Sequence, residues 1–210
     1  TDMKIIGGKA KGTNLLAPVG RNTTRPTLGR VRESIFNVLT NVGLVETDVL
    51  DIFAGTGAMG LEALSRYASS AVFIDKTTGR IIRENAKKCH AEDQVQIISR
   101  DVGAALKSLQ GRTFDYIFMD PPYRKGYINE VLAMVFDCGL PADHAIIIAE
   151  HSISEPPDVS LFADRCEVWK EKKVGPLLLP ICYADLQREK CNENSDLPRK
   201  FRPGDLWSSG

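Results

Sequence analysis

The chain has 210 residues, of which 43% are hydrophobic and 26% charged, and its 27 basic side chains balance its 27 acidic ones. This length suits one domain with a full core, and no apolar run approaches the roughly 20 residues that span a membrane. The first residues show no signal-peptide pattern. Five scattered cysteines and three histidines without ligand spacing give little support to a disulfide framework or a zinc site. We therefore expect a cytoplasmic monomer with no metal and no membrane partner.

The charge is unevenly distributed along the chain. Residues 1–40 carry seven basic and two acidic side chains, a net charge of +5, whereas residues 41–186 carry 15 basic and 21 acidic ones, a net charge of −6. A basic arm on an acidic body predicts a local surface that binds a polyanion. A solvated, flexible terminus would show the same pattern, so the charge alone leaves both interpretations open.

The first segment, residues 3–18, predicts a hairpin around three glycines. A helix is then expected from Pro26 to Gly43, because apolar residues recur along it at helical spacing. The apolar stripe consists of Val31, Ile35, Val38, Leu39 and Val42.

Strands and helices alternate after residue 44, which predicts an α/β fold. Short apolar runs at 49–53, 71–75, 95–99, 114–120 and 145–149 are typical of a parallel sheet covered on both faces. Residues 166–174 and 177–184 predict an antiparallel hairpin around a Gly175-Pro176 turn. We divide the chain into a basic extension at 1–43, a main domain at 44–186 and a loose polar tail at 187–210.

A glycine-rich loop joins the first predicted strand to its helix. The spacing Gly-x-Gly-x-x-Gly lets the backbone turn sharply and approach a ligand closely. Carboxylates after the second and third strands suit ribose hydroxyls and an adenine amino group. The same spacing serves S-adenosylmethionine and nicotinamide dinucleotides, so the loop predicts a nucleotide cofactor without distinguishing them. The candidate cofactor residues are Asp51, Phe53, Gly55, Gly57, Gly60, Asp75 and Asp101.

The candidate catalytic residues Asp120, Pro121, Pro122 and Tyr123 follow the fourth predicted strand. Ligands of open α/β sheets bind beyond the carboxyl ends of the strands, so this loop should share a crevice with the glycine loop. An exocyclic amine is a poor nucleophile because its lone pair is delocalised into the base. The Asp120 carboxylate and the Pro121 carbonyl can accept its two hydrogens, and the prolines hold both acceptors in place. Tyr123 offers a ring for stacking an extruded base, so the two loops together favour methyl transfer over hydride transfer.

Several segments between residues 3 and 186 match one known family in order. They are Ile5-Ile6-Gly7-Gly8, Thr24-Arg25-Pro26-Thr27, Arg30-Val31-Arg32-Glu33 with Phe36-Asn37, Asp51-x-Phe53-Ala54-Gly55-Thr56-Gly57, the stretch 60–66 and Asp120-Pro121-Pro122-Tyr123. Through these segments the chain resembles the bacterial small-subunit (16S) ribosomal RNA guanine-N2 methyltransferases. The Arg-Pro-Thr and Arg-Val-Arg-Glu segments are the most specific, because generic methyltransferases lack them.

The resemblance implies a class I, Rossmann-like methyltransferase fold with a seven-stranded, mostly parallel sheet. It also implies S-adenosylmethionine at the glycine loop and methylation of a guanine in small-subunit ribosomal RNA or in the assembled subunit. The basic extension would then contact RNA phosphates. Its candidate contacts are Lys9, Lys11, Arg21, Arg25, Arg30 and Arg32.

Three rival functions use similar sequence features. A DNA amino-methyltransferase would need a base-recognition domain, and only about 60 residues separate Pro122 from the predicted tail. A protein glutamine methyltransferase would leave the basic extension without a purpose. A non-catalytic RNA-binding assembly factor could keep the fold, although the intact Asp120 and glycine loop argue against it.

Overall fold

The computed structural model describes residues 3–18, 26–122, 126–152, 156–174 and 177–184. Its helices are α1 (Pro26–Val42), α2 (Ala58–Ser65), α3 (Gly79–Lys88), α4 (Val102–Ser108) and α5 (Tyr127–Asp137). Its strands are β1 (Asp48–Ile52), β2 (Ser70–Ile74), β3 (Val95–Ile98), β4 (Phe114–Met119), β5 (Pro141–Ala149), β6 (His151–Ser152), β7 (Cys166–Val174) and β8 (Leu177–Ala184).

All eight strands form one sheet. The first five pair in parallel in the order β3-β2-β1-β4-β5, and β8 lies antiparallel between β5 and β7. The predicted parallel sheet with an antiparallel terminal hairpin is therefore confirmed. The order reverses direction between β1 and β4, which is the place where doubly wound sheets open a crevice for a ligand. The predicted Gly175-Pro176 turn lies outside the described residues.

The described sheet has one strand more than the predicted seven, because β6 is counted separately. Both β5 and β6 pair with β8, and the register runs without a shift from Ile146 opposite Tyr183 to Ser152 opposite Leu177. In effect β6 continues β5, and Glu150 is the residue between them. If β5 and β6 are counted as one strand, the sheet has the predicted seven strands.

Each face of the sheet packs against its own hydrophobic core. One core joins the sheet to α1, α2 and α3, and it includes the fully buried Phe36 and Phe73. The other joins the opposite face to α4 and α5. The predicted apolar stripe of α1 faces the first core, with Val31, Ile35 and Leu39 buried. This two-sided burial explains why the central strands read as continuous apolar runs.

The N-terminal segment, residues 3–18, folds back on itself as predicted. An antiparallel bridge joins Lys4 to Asn14, and the Leu15 amide donates to the Met3 carbonyl at 2.7 Å. Ile5 and Leu15 are buried in the same core as α1 and α2. The segment is thus packed against the main sheet layer, although the proposed domain division itself stays a prediction.

A buried carboxylate, Glu62 in α2, holds this segment in place. Its two oxygens accept the amides of Ile6 and Gly7, each at 2.8 Å, and Oε1 also accepts Arg66 Nε at 2.9 Å. Arg32 Nε of α1 lies 3.8 Å from Glu62 Oε2. Because Glu62 is fully buried, its charge is stable there only with these partners.

Two predicted boundaries moved for local reasons. Phe53 lies outside β1 because its φ of +61° is incompatible with a strand, and it begins the turn into the glycine loop. Strand β5 begins at Pro141, four residues earlier than predicted, since its first residues are too polar to read as a buried strand. Among the described residues, no helix combines the length and apolar character needed to cross a membrane. The predicted tail at 187–210 lies outside the described residues.

We predict that Glu62→Ala lowers the free energy of unfolding by about 3–5 kcal/mol. The substitution leaves the amides of Ile6 and Gly7, and the guanidinium groups of Arg32 and Arg66, without their carboxylate partner. Urea unfolding followed by circular dichroism measures this change. Glu84→Ala, at an exposed position of α3, is the matched control and should change stability by less than about 0.5 kcal/mol. Equal urea midpoints for the two variants would refute this role of Glu62.

Candidate active site

A cavity of about 300 Å³ opens at the carboxyl edge of the central strands. Its floor is formed by the ends of β1, β4 and β5 and by the glycine loop. Its roof is formed by α1 and the N-terminal segment. The lining residues used below are Met3, Arg32, Asp51, Phe53, Gly55, Thr56, Asp120 and Glu150.

Three acidic side chains reach this cavity from neighbouring strands. Asp51 lies near the end of β1, whereas Asp120 and Glu150 directly follow β4 and β5. Residues 51, 118 and 148 are register partners across the three strands. Because successive side chains of a strand alternate between faces, Asp120 and Glu150 lie one row further on, on the same face as Asp51.

The protein surroundings weaken the acidity of all three groups. Burial raises the pKa of Asp51 to about 7, the bond from Gly60 opposes this rise, and the charges of Asp120 and Asp75 add to it. Asp120 is open to solvent through the cavity, yet burial by the surrounding protein raises its pKa to about 6. Burial and the charge of Asp120 raise the pKa of Glu150 to about 7. The cavity therefore holds two neighbouring carboxylates that disfavour each other's ionisation.

The described residues contain no group of three or more acidic, histidine or cysteine side chains arranged to hold a metal ion. The acids of the cavity lie in a row along the carboxyl ends of three neighbouring strands. Such an arrangement suits an extended ligand with several donors or positive charges.

The glycine loop has two different uses for its glycines. A methyl group on Gly60 would lie 2.4 Å from the ring of Phe73, so this glycine permits the close packing of α2 on β2. Gly55 lines the cavity with a φ of +56°, and a Cβ there would meet nothing within 4 Å. The open space beside Gly55 is room for a ligand against the backbone. Behind the loop, Asp51 Oδ2 accepts the Gly60 amide at 3.0 Å.

The other two predicted cofactor carboxylates lie outside the cavity lining. Asp75 accepts the amides of Gly55, Thr77 and Thr78, and these bonds outweigh burial and lower its pKa. Asp101 is exposed and caps α4 through the Gly103 amide at 3.3 Å. Their contact with a cofactor stays a prediction. In sheet order, the carboxyl edge carries Asp101, Asp75, Asp51, Asp120 and Glu150, and we call this row the acidic edge.

The structure brings Asp120, Phe53 and Gly55 together in one cavity. This agrees with the prediction that the Asp120 loop and the glycine loop share a crevice. Pro121 is buried and Pro122 is exposed. Gly57 lies in the loop at a φ of +77°. Tyr123 lies outside the described residues, so its stacking role stays a prediction.

One of the predicted phosphate contacts needs correction. The Arg32 side chain is only 8% exposed, lies against Glu62 and donates from Nη2 to the Lys4 carbonyl. It is a buried ion pair in the cavity roof, and we withdraw it as a surface phosphate contact. Lys9, Lys11 and Arg30 are exposed. Arg21 and Arg25 lie outside the described residues.

Sequence reasoning missed two residues of this region. Glu150 directly follows an apolar strand, as Asp120 does, and that shared position is the signal that would have found it. Asn85 of α3 is fully buried; its amide donates to the carbonyls of Leu16 and Thr56 at 3.0 and 2.9 Å. It thus ties the N-terminal segment to the glycine loop. No sequence pattern marks Asn85, because its role depends on two distant segments.

Comparisons with known proteins agree with this geometry. The sequence model of the family described as Conserved hypothetical protein 95 matches residues 3–182. Ribosomal RNA small subunit methyltransferase D of Escherichia coli K12 is 37% identical over 194 residues, which cover 91% of this chain and 93% of that protein. The solved structure of the Escherichia coli putative methyltransferase yhhF matches with a TM-score of 0.75 and 31% identity, covering 89% of this chain and all of that one.

A more distant solved structure shares the fold alone. The putative methyltransferase SMU.776, complexed with SAH, has 16% identity and a TM-score of 0.60. The match covers 76% of this chain and 50% of that one. The resemblance and the fold expected from the sequence are therefore confirmed.

The raised pKa of Asp51 predicts a pH-dependent gain in stability for Asp51→Asn. A folded-state pKa above the unfolded value means that the charged form costs stability; the full cost applies above about pH 7 and fades as the pH falls toward 4. Asparagine keeps an oxygen for the Gly60 amide without the charge. The variant should be more stable than the parent by about 2–4 kcal/mol at pH 8.

The ligand-free proteins are compared by thermal unfolding between pH 5 and pH 8. The gain from Asp51→Asn should shrink steadily toward pH 5. Asp93→Asn, at an exposed position, should show no such trend. A gain that is the same at every pH would contradict a buried, titrating Asp51.

Proposed function

The chain belongs to the family of ribosomal RNA small subunit methyltransferase D and is a methyltransferase, and from this membership we propose that it methylates a guanine N2 amine in small-subunit ribosomal RNA. The observation that carries the proposal is a cavity that joins Asp120 to the glycine loop beneath the N-terminal segment. One cavity can thus bring a methyl donor, an amine and the RNA-facing extension together.

S-adenosylmethionine is the proposed cofactor, and the residues of the cavity fit it. It carries a sulfonium, an ammonium and a carboxylate. The cavity offers carboxylates for the two positive groups and Arg32, whose Nε has no hydrogen-bond partner, for the negative one. The backbone at Gly55 leaves room for close approach. A protein of the same fold, SMU.776, was solved with SAH, the product that remains after methyl transfer.

Asp120 is the proposed catalytic residue. The cofactor, when bound, supplies an electrophilic methyl group. The ionised Asp120 and the Pro121 carbonyl accept the two amine hydrogens, which draws the nitrogen toward tetrahedral geometry and frees its lone pair. The methyl group would pass to this lone pair, and the electron pair of the C–S bond would be left on the sulfur of the cofactor. Asp120 stabilises the positive charge that appears on nitrogen and provides a route for the released proton.

The N-terminal segment supports RNA as the substrate. Met3 of this segment lines the cavity, and its sulfur lies 3.3 Å from the Thr56 hydroxyl. The exposed Lys9 and Lys11 belong to the same segment, and the exposed Arg30 lies in α1, the helix that forms part of the cavity roof. The elements that form the cavity roof therefore carry exposed positive charge, which supports a polyanionic substrate. Neither DNA nor a protein glutamine is favoured by a specific observation.

The decisive experiment supplies tritiated S-adenosylmethionine with small ribosomal subunits, free ribosomal RNA, duplex DNA or a glutamine-bearing release factor. We expect label on small-subunit RNA, recovered as N2-methylguanine after nuclease digestion. Asp120→Ala should lower the rate at least about 100-fold while leaving cofactor affinity nearly unchanged. Label on DNA or protein would refute the substrate, and no label on any of them would support the non-catalytic assembly factor.

The basic extension predicts a change in the salt dependence of RNA binding. Lys11→Ala and Arg30→Ala should each weaken binding and reduce the slope of log affinity against log salt by about 0.7–1. Fluorescence anisotropy over a salt series measures the slope. Lys107→Ala, an exposed lysine of α4 on the opposite face, should leave the slope unchanged. If all three variants showed the same slope of RNA affinity against salt, the N-terminal extension would not be part of the RNA interface.

A further inference from the structure

Of the acids that line the cavity, Asp51 binds the glycine loop and Asp120 serves the proposed reaction, whereas Glu150 has no role in either. Its amide donates to the Met119 carbonyl at 2.8 Å, which fixes its backbone against the end of β4. Met119 and Ala149 are register partners, so Asp120 and Glu150 occupy adjacent positions on neighbouring strands. Neighbouring strands lie about 4.8 Å apart. Two hydrogen-bond acceptors therefore stand side by side on one face, and their side chains can converge on adjacent groups of one base edge.

The chemistry of amine substrates separates guanine from its rivals at this second position. In adenine and cytosine, the exocyclic amine lies beside a ring nitrogen that accepts hydrogen bonds on the pairing edge. In glutamine, the amine lies beside a carbonyl oxygen. In guanine, the N2 amine lies beside the N1–H group, which is a donor. A carboxylate next to Asp120 attracts that donor and repels the acceptors of the other three substrates.

We propose that Glu150 determines the substrate specificity of this site by accepting the N1–H of guanine while Asp120 accepts the N2 amine. This inference rests on the proposed function and names the group that selects guanine. Strands β5 and β6 pair with β8 in one register on either side of Glu150, so its backbone position does not depend on a loose loop. Ile148, two residues earlier, lines the same cavity and confirms the face to which Glu150 belongs.

In the free protein, the negative charge of Asp120 makes ionisation of Glu150 unfavourable, because the two acids are neighbours in one cavity. A group that serves only structure would not need this charge, because the described strand bonds of Glu150 use its backbone. A bound N1–H donor relieves the repulsion, whereas a bound acceptor increases it. Binding of guanine therefore relieves part of the repulsion between the Asp120 and Glu150 carboxylates.

The test compares guanine with 2-aminopurine, which keeps the N2 amine but has a bare N1 acceptor. Small subunits are reconstituted with RNA that carries either base at the position labelled by the parent protein. The parent protein should methylate guanine about 10- to 100-fold faster than 2-aminopurine. Glu150→Gln should narrow this ratio to within a few fold, because the amide can turn either its oxygen or its amino group toward N1.

Two further variants separate specificity from structure. Glu150→Asp keeps the charge and should keep the preference for guanine at a lower rate. Glu84→Gln, the same substitution at an exposed site of α3, should behave as the parent protein. If Glu150→Gln is too slow to assay, the ratio of the dissociation constants of the two RNAs measures the preference for guanine without turnover.

An unchanged ratio in Glu150→Gln would overturn the role of Glu150 while leaving the proposed function intact. Absence of guanine methylation by the parent protein would overturn the proposed function itself. The two failures are therefore distinguishable.

Discussion

The contacts of Glu62 are the interaction on which the site depends. Without a partner, a carboxylate at this depth would be too costly to bury. With Arg66, the amides of Ile6 and Gly7, and Arg32 nearby, it joins the N-terminal segment, α1 and α2 into one unit. That unit forms the roof of the cavity. The roof is therefore held by a polar network inside an apolar core rather than by apolar packing alone.

A second link joins the roof to the floor. Asn85 binds the backbone of Leu16 through both its oxygen and its nitrogen, and it also binds the carbonyl of Thr56 in the glycine loop. The segment that we propose to face RNA and the loop that we propose to face the cofactor consequently share one buried side chain. A shift of either segment would break hydrogen bonds that water cannot replace at that depth. The two halves of the proposed reaction are therefore mechanically connected.

The sequence was sufficient for those features that depend on local pattern. Apolar runs identified the parallel strands, and the position of Asp120 after β4 identified the cavity. Sequence reasoning failed where the role of a side chain depends on contacts with residues distant in sequence. Arg32 reads as a surface cation until the burial of Glu62 is known, and Asp75 reads as a free acceptor although its oxygens already bind three backbone amides. Glu150 was missed although it directly follows a predicted strand, and the pairing of β4 with β5 is what places it beside Asp120.

The acidic edge has a consequence for the release of the used cofactor. The proposed methyl donor carries a positive sulfonium before transfer, whereas the thioether that remains has lost that charge. Carboxylates near the sulfur attract the first form and have little Coulomb attraction for the second. The release of product is thus favoured by the same charges that favoured binding of the donor. The carboxylates beside the glycine loop would therefore distinguish the loaded cofactor from the used one by a single charge.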